Sequence, residues 1–231
     1  MKNLVFTVLF LIGVFTVGVS AQQTQPAQKS APQFDEWKDD FSGDKLDENK
    51  WEKFTFEGGG GGKLEVKDGQ ARIRSAAKTR AGIRSKQEFS GDRWIVEAQV
   101  AKVGEAYPDP GSKSTLGFAT VTILFDGSGR NRIEWMLTSE GTFEAWAVRD
   151  GRGERLDNRN LGTKMKNPVL SVVRRGDEFL FVLNSPEGKP EDAQVGLKTT
   201  VKNMPKSFRL MLYGFGSSEN NWDNVRVVTA K

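Results

Sequence analysis

From Phe34 onward the chain alternates apolar and polar residues in short stretches, with the two-residue period of a strand rather than the period of about 3.6 residues of a helix. The stretches are LEVKD (64–68), ARIRS (71–75), RWIVEAQVAKV (93–103), LGFATVTILF (116–125), RNRIEWMLT (130–138), TFEAWAV (142–148), PVLSVVRR (168–175), EFLFVLN (178–184), SFRLMLYGF (207–215) and NVRVVTA (224–230). Gly, Pro, Asn or Asp bounds each one, so the class is all-β. So many strands in one domain require a two-layer sandwich or a closed barrel, and the reading favours a two-sheet antiparallel β-sandwich. In RWIVEAQVAKV the alternation sends Trp94, Val96, Ala98 and Val100 to the core and Glu97 and Gln99 outward.

The stretch RIEWMLTSEGTFEAW (132–146) sets a register by its turn. A three-residue loop Ser139-Glu140-Gly141 puts Gly141 in the left-handed conformation such hairpins need. Thr138 then faces Thr142, Met136 faces Glu144, Glu134 faces Trp146 and Arg132 faces Val148. Ile133, Trp135 and Leu137 lie opposite Ala147, Ala145 and Phe143, a wholly apolar set. A two-residue loop would instead carry Glu144 to the apolar side, at a cost of several kcal/mol. The expected outcome is one face bearing Arg132, Glu134, Glu144 and Trp146, with the two Glu diagonal neighbours roughly 7–8 Å apart at the backbone. Trp94 and Trp135 are expected in the core.

The ends of the sequence differ in character from this body. Residues 1–21, MKNLVFTVLFLIGVFTVGVSA, have the early Lys, apolar run and small-residue exit of a secretory signal peptide cleaved after Ala21. Residues 22–35 read as a flexible polar linker and residues 36–231 as the folded domain. The expectation is a secreted or periplasmic bacterial protein with no membrane span after cleavage.

Composition then removes whole classes of chemistry. The chain has no Cys and no His, which excludes disulfides, thiol catalysis, imidazole bases and His-bound metals. The net charge of +4 is spread among interspersed acids and bases, not gathered in a basic block, so no nucleic-acid partner is indicated. The glycine run 58–62 fails as a phosphate loop, because that motif needs Gly at 57 and Ser or Thr after the Lys, where this chain has Glu57 and Leu64.

Two segments carry a family resemblance: DDFSGDKLDENKW (39–51), with Phe41, Gly43, Leu46 and Trp51, and NNWDNVRVV (220–228), with Asp223, Val225 and Val227. Together they resemble the concanavalin A-like lectin/glucanase superfamily, which implies a jelly roll over residues 36–231. Family 16 glycoside hydrolases of that superfamily carry an E-x-D-x-E strand whose outer acids are nucleophile and acid/base. The best candidate here places Arg130, Arg132, Glu134, Met136 and Thr138 on one face, so only the central acid is present and the hydrolase motif is lacking. The closing D-N-V-R-V (223–227) is also similar to that of the 3-keto-disaccharide hydrolase-like group, none of whose catalytic residues can be matched to this chain. The superfamily resemblance implies a structural Ca²⁺ ligand at Asp223, with backbone carbonyls near the start of the domain completing the shell.

The reading that follows is a non-catalytic carbohydrate-binding domain that holds a glycan or polysaccharide on a concave sheet face. Arg132, Glu134, Glu144 and Trp146 form the site, with Arg209 and Tyr213 on the same side if their strand joins that sheet. An indole beside carboxylates and Arg suits a sugar, whose apolar face stacks while its hydroxyls take hydrogen bonds. Two alternatives stay open: a sugar-active hydrolase using Glu134 and Glu144, and a domain that recognises envelope proteins. No cofactor is required beyond the structural calcium.

Overall fold

A computed structural model describes residues 33–56, 62–75, 79–104, 117–160, 166–184, 194–215 and 219–230. The strands are, in chain order, β1 (Phe34–Asp39), β2 (Trp51–Phe56), β3 (Lys63–Lys67), β4 (Gln70–Arg74), β5 (Arg80–Ser85), β6 (Phe89–Ser90), β7 (Arg93–Val103) and β8 (Phe118–Leu124). They continue with β9 (Arg132–Thr138), β10 (Thr142–Arg149), β11 (Arg152–Asn160), β12 (Val169–Arg175), β13 (Glu178–Asn184), β14 (Gln194–Thr200), β15 (Ser207–Phe215) and β16 (Glu219–Ala230). No helix occurs among the described residues. Each alternating stretch named above contains a strand; β1, β2, β5, β6, β11 and β14 are additional.

Two antiparallel sheets form the sandwich. Sheet I runs β14-β13-β12-β7-β16-β4-β3, with β1 also on β16, and sheet II runs β11-β10-β9-β8-β15-β5-β2, with β6 on β15. Their inner faces meet in one core. Trp94, Val96, Ala98 and Val100 of β7 enter it from sheet I, and Ala119, Val121 and Ile123 of β8 from sheet II. Each fully buried Val, Ile, Leu or Phe contributes roughly 1.5–3 kcal/mol. Trp135 packs between Phe143 of its own sheet, 5.5 Å away, and Phe181 of the other, 5.4 Å away, while its indole N–H donates to the Val182 carbonyl at 3.2 Å.

The two segments that carried the resemblance meet where β1 pairs with β16, Asp39 lying opposite Val225. Phe41 stacks on Trp51 at 5.8 Å, and the Trp51 indole N–H donates to Asp39 Oδ2 at 2.7 Å, tying β1 to β2 across the sheets. Trp222, Val225 and Val227 of β16 are buried.

The β9–β10 hairpin has the register its turn dictates: Leu137 opposite Phe143, Met136 opposite Glu144, Trp135 opposite Ala145, Glu134 opposite Trp146, Ile133 opposite Ala147 and Arg132 opposite Val148. Gly141 sits at φ 83° and its N–H donates to the Thr138 carbonyl at 3.0 Å. One expectation needs correction. Arg130 is not on the strand but in the loop before it, because the Asp126 carboxylate accepts from the backbone N–H groups of Ser128, Arg130 and Asn131 and pulls this segment out of the ladder.

Replacing Gly141 by Ala forces a Cβ into a left-handed conformation and should cost about 1–2 kcal/mol. Urea unfolding of the variant checks this: the midpoint should drop with an unchanged slope, and an unchanged midpoint would show that the turn does not constrain the hairpin.

Candidate functional site

The outward face of sheet II follows from pairing alone, since residues opposite one another across successive strands share a side. One row runs Arg155, Trp146, Glu134, Thr122, Met211, Arg84 and Glu52 from β11 to β2. The row beside it runs Asn158, Glu144, Met136, Thr120, Tyr213, Gly82 and Phe54. Arg132, Leu124 and Arg209 extend the face on one side, and Thr138, Phe118, Phe215, Arg80 and Phe56 on the other. Arg132, Glu134, Glu144, Trp146, Arg209 and Tyr213 are thus on one face of one sheet, β15 being joined to β9 through β8.

Their partners differ in kind. Glu134 is 3% exposed, and its Oε1 accepts from Arg132 Nε at 2.7 Å and from the Tyr213 hydroxyl at 2.8 Å. A second Arg132 nitrogen donates to the Gly129 carbonyl at 2.6 Å, and the guanidinium lies over the Phe56 ring at 4.7 Å. Glu144 is only half-buried: its Oε2 accepts the Trp146 indole N–H at 2.8 Å and its Oε1 the Asn158 amide at 3.1 Å. Trp146 is half-buried too and stays at the surface of the sandwich. The two carboxylates therefore share a face but answer to separate networks.

Several members of this face were beyond sequence reasoning. Glu52 Oε1 accepts from Arg84 at 2.7 Å and 2.9 Å and from Arg209 at 3.2 Å, so one carboxylate oxygen gathers two guanidinium groups. Arg84 covers the Phe54 ring at 4.1 Å, and Arg80 covers Phe215 at 5.4 Å. The Thr120 and Thr122 hydroxyls are buried on this face without a hydrogen-bond partner. Their alternation with Ala119, Val121 and Ile123 was the available signal. At Gly82 the backbone of β15 comes so close that a Cβ would collide with the Leu212 carbonyl oxygen and with Tyr213 Cβ.

Asp223 lies apart, on β16 of sheet I opposite Gln99. It accepts the Asn224 N–H at 2.7 Å; burial and the charge of nearby Asp40 raise its pKa above the usual aspartate value, against that hydrogen bond. Among the described residues no group of three or more Asp, Glu, His or Cys gathers as a metal cluster. Cavities among the described residues include two at the edges of the sheets. One of about 570 Å³ lies between the edges β2 and β3 beside Leu46, Trp51 and Leu64, and one of about 620 Å³ lies beside the β10–β11 turn. Residues 57–61, which hold most of the glycine run, and residues 105–116 lie outside the described residues.

No protein-family model matches the chain, and no curated protein matches it in sequence. Solved structures do resemble it. The carbohydrate binding module CBM66 from Bacillus subtilis aligns at TM-score 0.55 and 12% identity over 77% of this chain and 95% of that one. A Bacillus licheniformis beta-glucanase aligns at 0.57 and 13% over 85% and 98%, and SCLam, a non-specific endo-beta-1,3(4)-glucanase of family GH16, at 0.58 and 13% over 86% and 92%. The fold is the concanavalin A-like jelly roll. At such identities the likeness is one of architecture, and the side chains on this jelly roll's outward face are its own.

Burial of Tyr213, together with the charge of Glu134, raises its pKa well above the usual phenol value despite the opposing Arg80 and Arg132. Because the folded pKa exceeds the unfolded one, this contribution to stability is complete below about pH 10 and is lost as pH climbs through the folded value. Tyr213→Phe should remove this alkaline loss from a plot of stability against pH. Parallel slopes above pH 10 for the two proteins would contradict the assignment.

Proposed function

We propose that the chain is an exported carbohydrate-binding domain that holds a glycan on the outward face of sheet II without cleaving it. The single observation that carries this is Trp146: a half-buried indole whose N–H is already held by Glu144, leaving its ring as the apolar platform beside carboxylates and guanidinium groups. Stacking of a sugar ring on such an indole, with hydroxyls satisfied by neighbouring charged groups, is the recognition chemistry of this residue set. The architecture, shared with a carbohydrate binding module and with glucanases, supports a ligand of the same class.

Two features favour binding over turnover. A glycosidase needs one carboxyl group free to give a proton and a second facing the sugar. Here Glu134 is 3% exposed, and its Oε1 already accepts two hydrogen bonds. Among the described residues Phe34 is the one exposed large hydrophobic side chain, which argues against a protein-docking role.

Replacing Trp146 by Ala should abolish retention of the mature protein, Gln22 onward, in gels containing polysaccharide, with an unchanged far-UV circular dichroism spectrum. Unchanged retention removes the site. Reducing-end release by the wild-type protein, lost in Glu144→Gln, would contradict the absence of turnover.

Asp223 is proposed as the protein's ligand to a structural Ca²⁺. The fit rests on a desolvated carboxylate whose pKa is raised partly by a second carboxylate, that of Asp40, an arrangement a divalent cation relieves. Backbone carbonyls would supply the remaining oxygens. Calcium at millimolar concentration should raise the melting temperature of the wild type and not of Asp223→Ala, since a ligand of the folded state stabilises it by mass action. Equal melting temperatures of the wild type with calcium and with chelator would remove the metal.

A further inference from the structure

The outward face of sheet II carries apolar side chains where the solvated face of an antiparallel sheet usually carries polar ones. A hydrophobic cluster separate from the main core stands on it: Phe56, Leu124, Met211 and Tyr213 are buried there, and Phe54 and Phe215 pack against them. Alongside run four half-buried side chains, Trp146, Met136, Phe118 and Phe215, one from each of β10, β9, β8 and β15. The glycan reading has used only the first of them.

Register sets their spacing. Trp146 is opposite Glu134, so Met136, two residues farther along β9, is its diagonal neighbour. Met136 is opposite Thr120, so Phe118 is in turn the diagonal neighbour of Met136. Both steps cross one strand and advance one pair in the same sense, so the three side chains stand in line. Two diagonals of about 7–8 Å place Phe118 roughly 15 Å from Trp146. Phe215 is the direct partner of Phe118 on β15, the two rings 6.3 Å apart and inclined at 61°.

Phe118 is built to be a second platform. Its strand is paired on both sides, and its carbonyl accepts the Asn220 amide at 2.7 Å. Arg80 lies over the Phe215 ring at 5.4 Å, so Phe215 is covered there and braces Phe118 edge-on. Between the platforms Met136 is the half-buried side chain, while Thr120 and Thr122 are fully buried and bring no hydroxyl to the surface. Glu144, the partner of Met136 on β10, is already held by the Trp146 indole and by Asn158.

We infer that this face takes a neutral, linear, β-1,4-linked polysaccharide chain laid along the Trp146–Met136–Phe118 line, with one sugar stacked on Trp146 and another on Phe118. The separation matches about three rings of an extended sugar chain, so four units reach both platforms. A sugar turns its apolar face to such a ring, and joining two weak stacking contacts through one chain raises the affinity of the whole. A straight line suits the ribbon of a β-1,4-linked chain, whereas a β-1,3-linked chain coils away from one platform as it meets the other. The inference rests on the Trp146 reading and adds the length, shape and charge of the ligand to it.

The test uses two neutral series of gluco-oligosaccharides of two to six units, one β-1,4-linked and one β-1,3-linked. Each is titrated into the mature protein and into Phe118→Ala, with the Trp146 indole N–H resonance as the readout. Affinity of the wild type for the β-1,4-linked series should rise about ten-fold between two and five units and then level off. Phe118→Ala should bind the disaccharide like the wild type and lose the rise.

Equal affinity of the wild type for two and five units, an undiminished rise in Phe118→Ala, or equally tight binding of the β-1,3-linked series would overturn the inference and leave Trp146 as a sugar site. An indole unmoved by every member of both series would overturn it as well, and the gel retention of Trp146→Ala then decides the parent reading separately. Should Phe118→Ala melt early, Phe118→Leu, which keeps the bulk without a flat ring, gives the same comparison.

Discussion

A strand shows alternate residues to opposite sides, so shifting one hairpin by a single residue exchanges its core for its surface. In this sandwich that constraint acts through β9 and β10. With Gly141 left-handed, Ile133, Trp135, Leu137, Phe143, Ala145 and Ala147 face inward and are buried. The same register leaves Arg132, Glu134, Glu144 and Trp146 on the outward face. A slip would turn the two carboxylates toward the apolar core that Trp135 shares with Phe143 and Phe181. The apolar half of the hairpin therefore determines where its polar half stands.

The polar half has its own internal logic. A sealed carboxylate is costly, and Glu134 is tolerated because a guanidinium and a phenol both donate to it while the guanidinium also meets the Gly129 carbonyl and the Phe56 ring. Three strands and a loop are thereby connected at the floor of the face. Among the described residues, the hydrogen bonds that hold Glu144 and Trp146, one strand outward, come from each other and from Asn158. A rigid floor beneath a more accessible rim is an arrangement suited to recognition, because the ligand meets groups already in position.

Much of this was legible along the chain, and the limits of legibility have physical causes. The hairpin register was readable because its turn contains a glycine and its two candidate registers differ in whether a charge is buried. The core placement of Trp94 and Trp135 followed from strict alternation. By contrast β11, RGERLDNRN, is an edge strand exposed along most of its length and has no apolar face to announce it, so the pairing of Arg155 with Trp146 was invisible. Glu52, Arg84 and Phe54 reach the face through β2 and β5, whose neighbours are far away in sequence, and local pattern does not encode which distant strands meet. Arg130 was misplaced because a side chain, Asp126, competes for backbone donors that alternation alone would assign to the ladder.

The central claim is that the face carrying Trp146, and no other surface of the sandwich, receives the glycan. It is tested most directly by the indole N–H resonances of the six tryptophans during titration with the polysaccharide fragment that binds. The account predicts a large, saturable shift of the Trp146 resonance, while those of Trp51, Trp94, Trp135 and Trp222, all buried in the core, stay in place. Saturable binding with the Trp146 signal unmoved would contradict it.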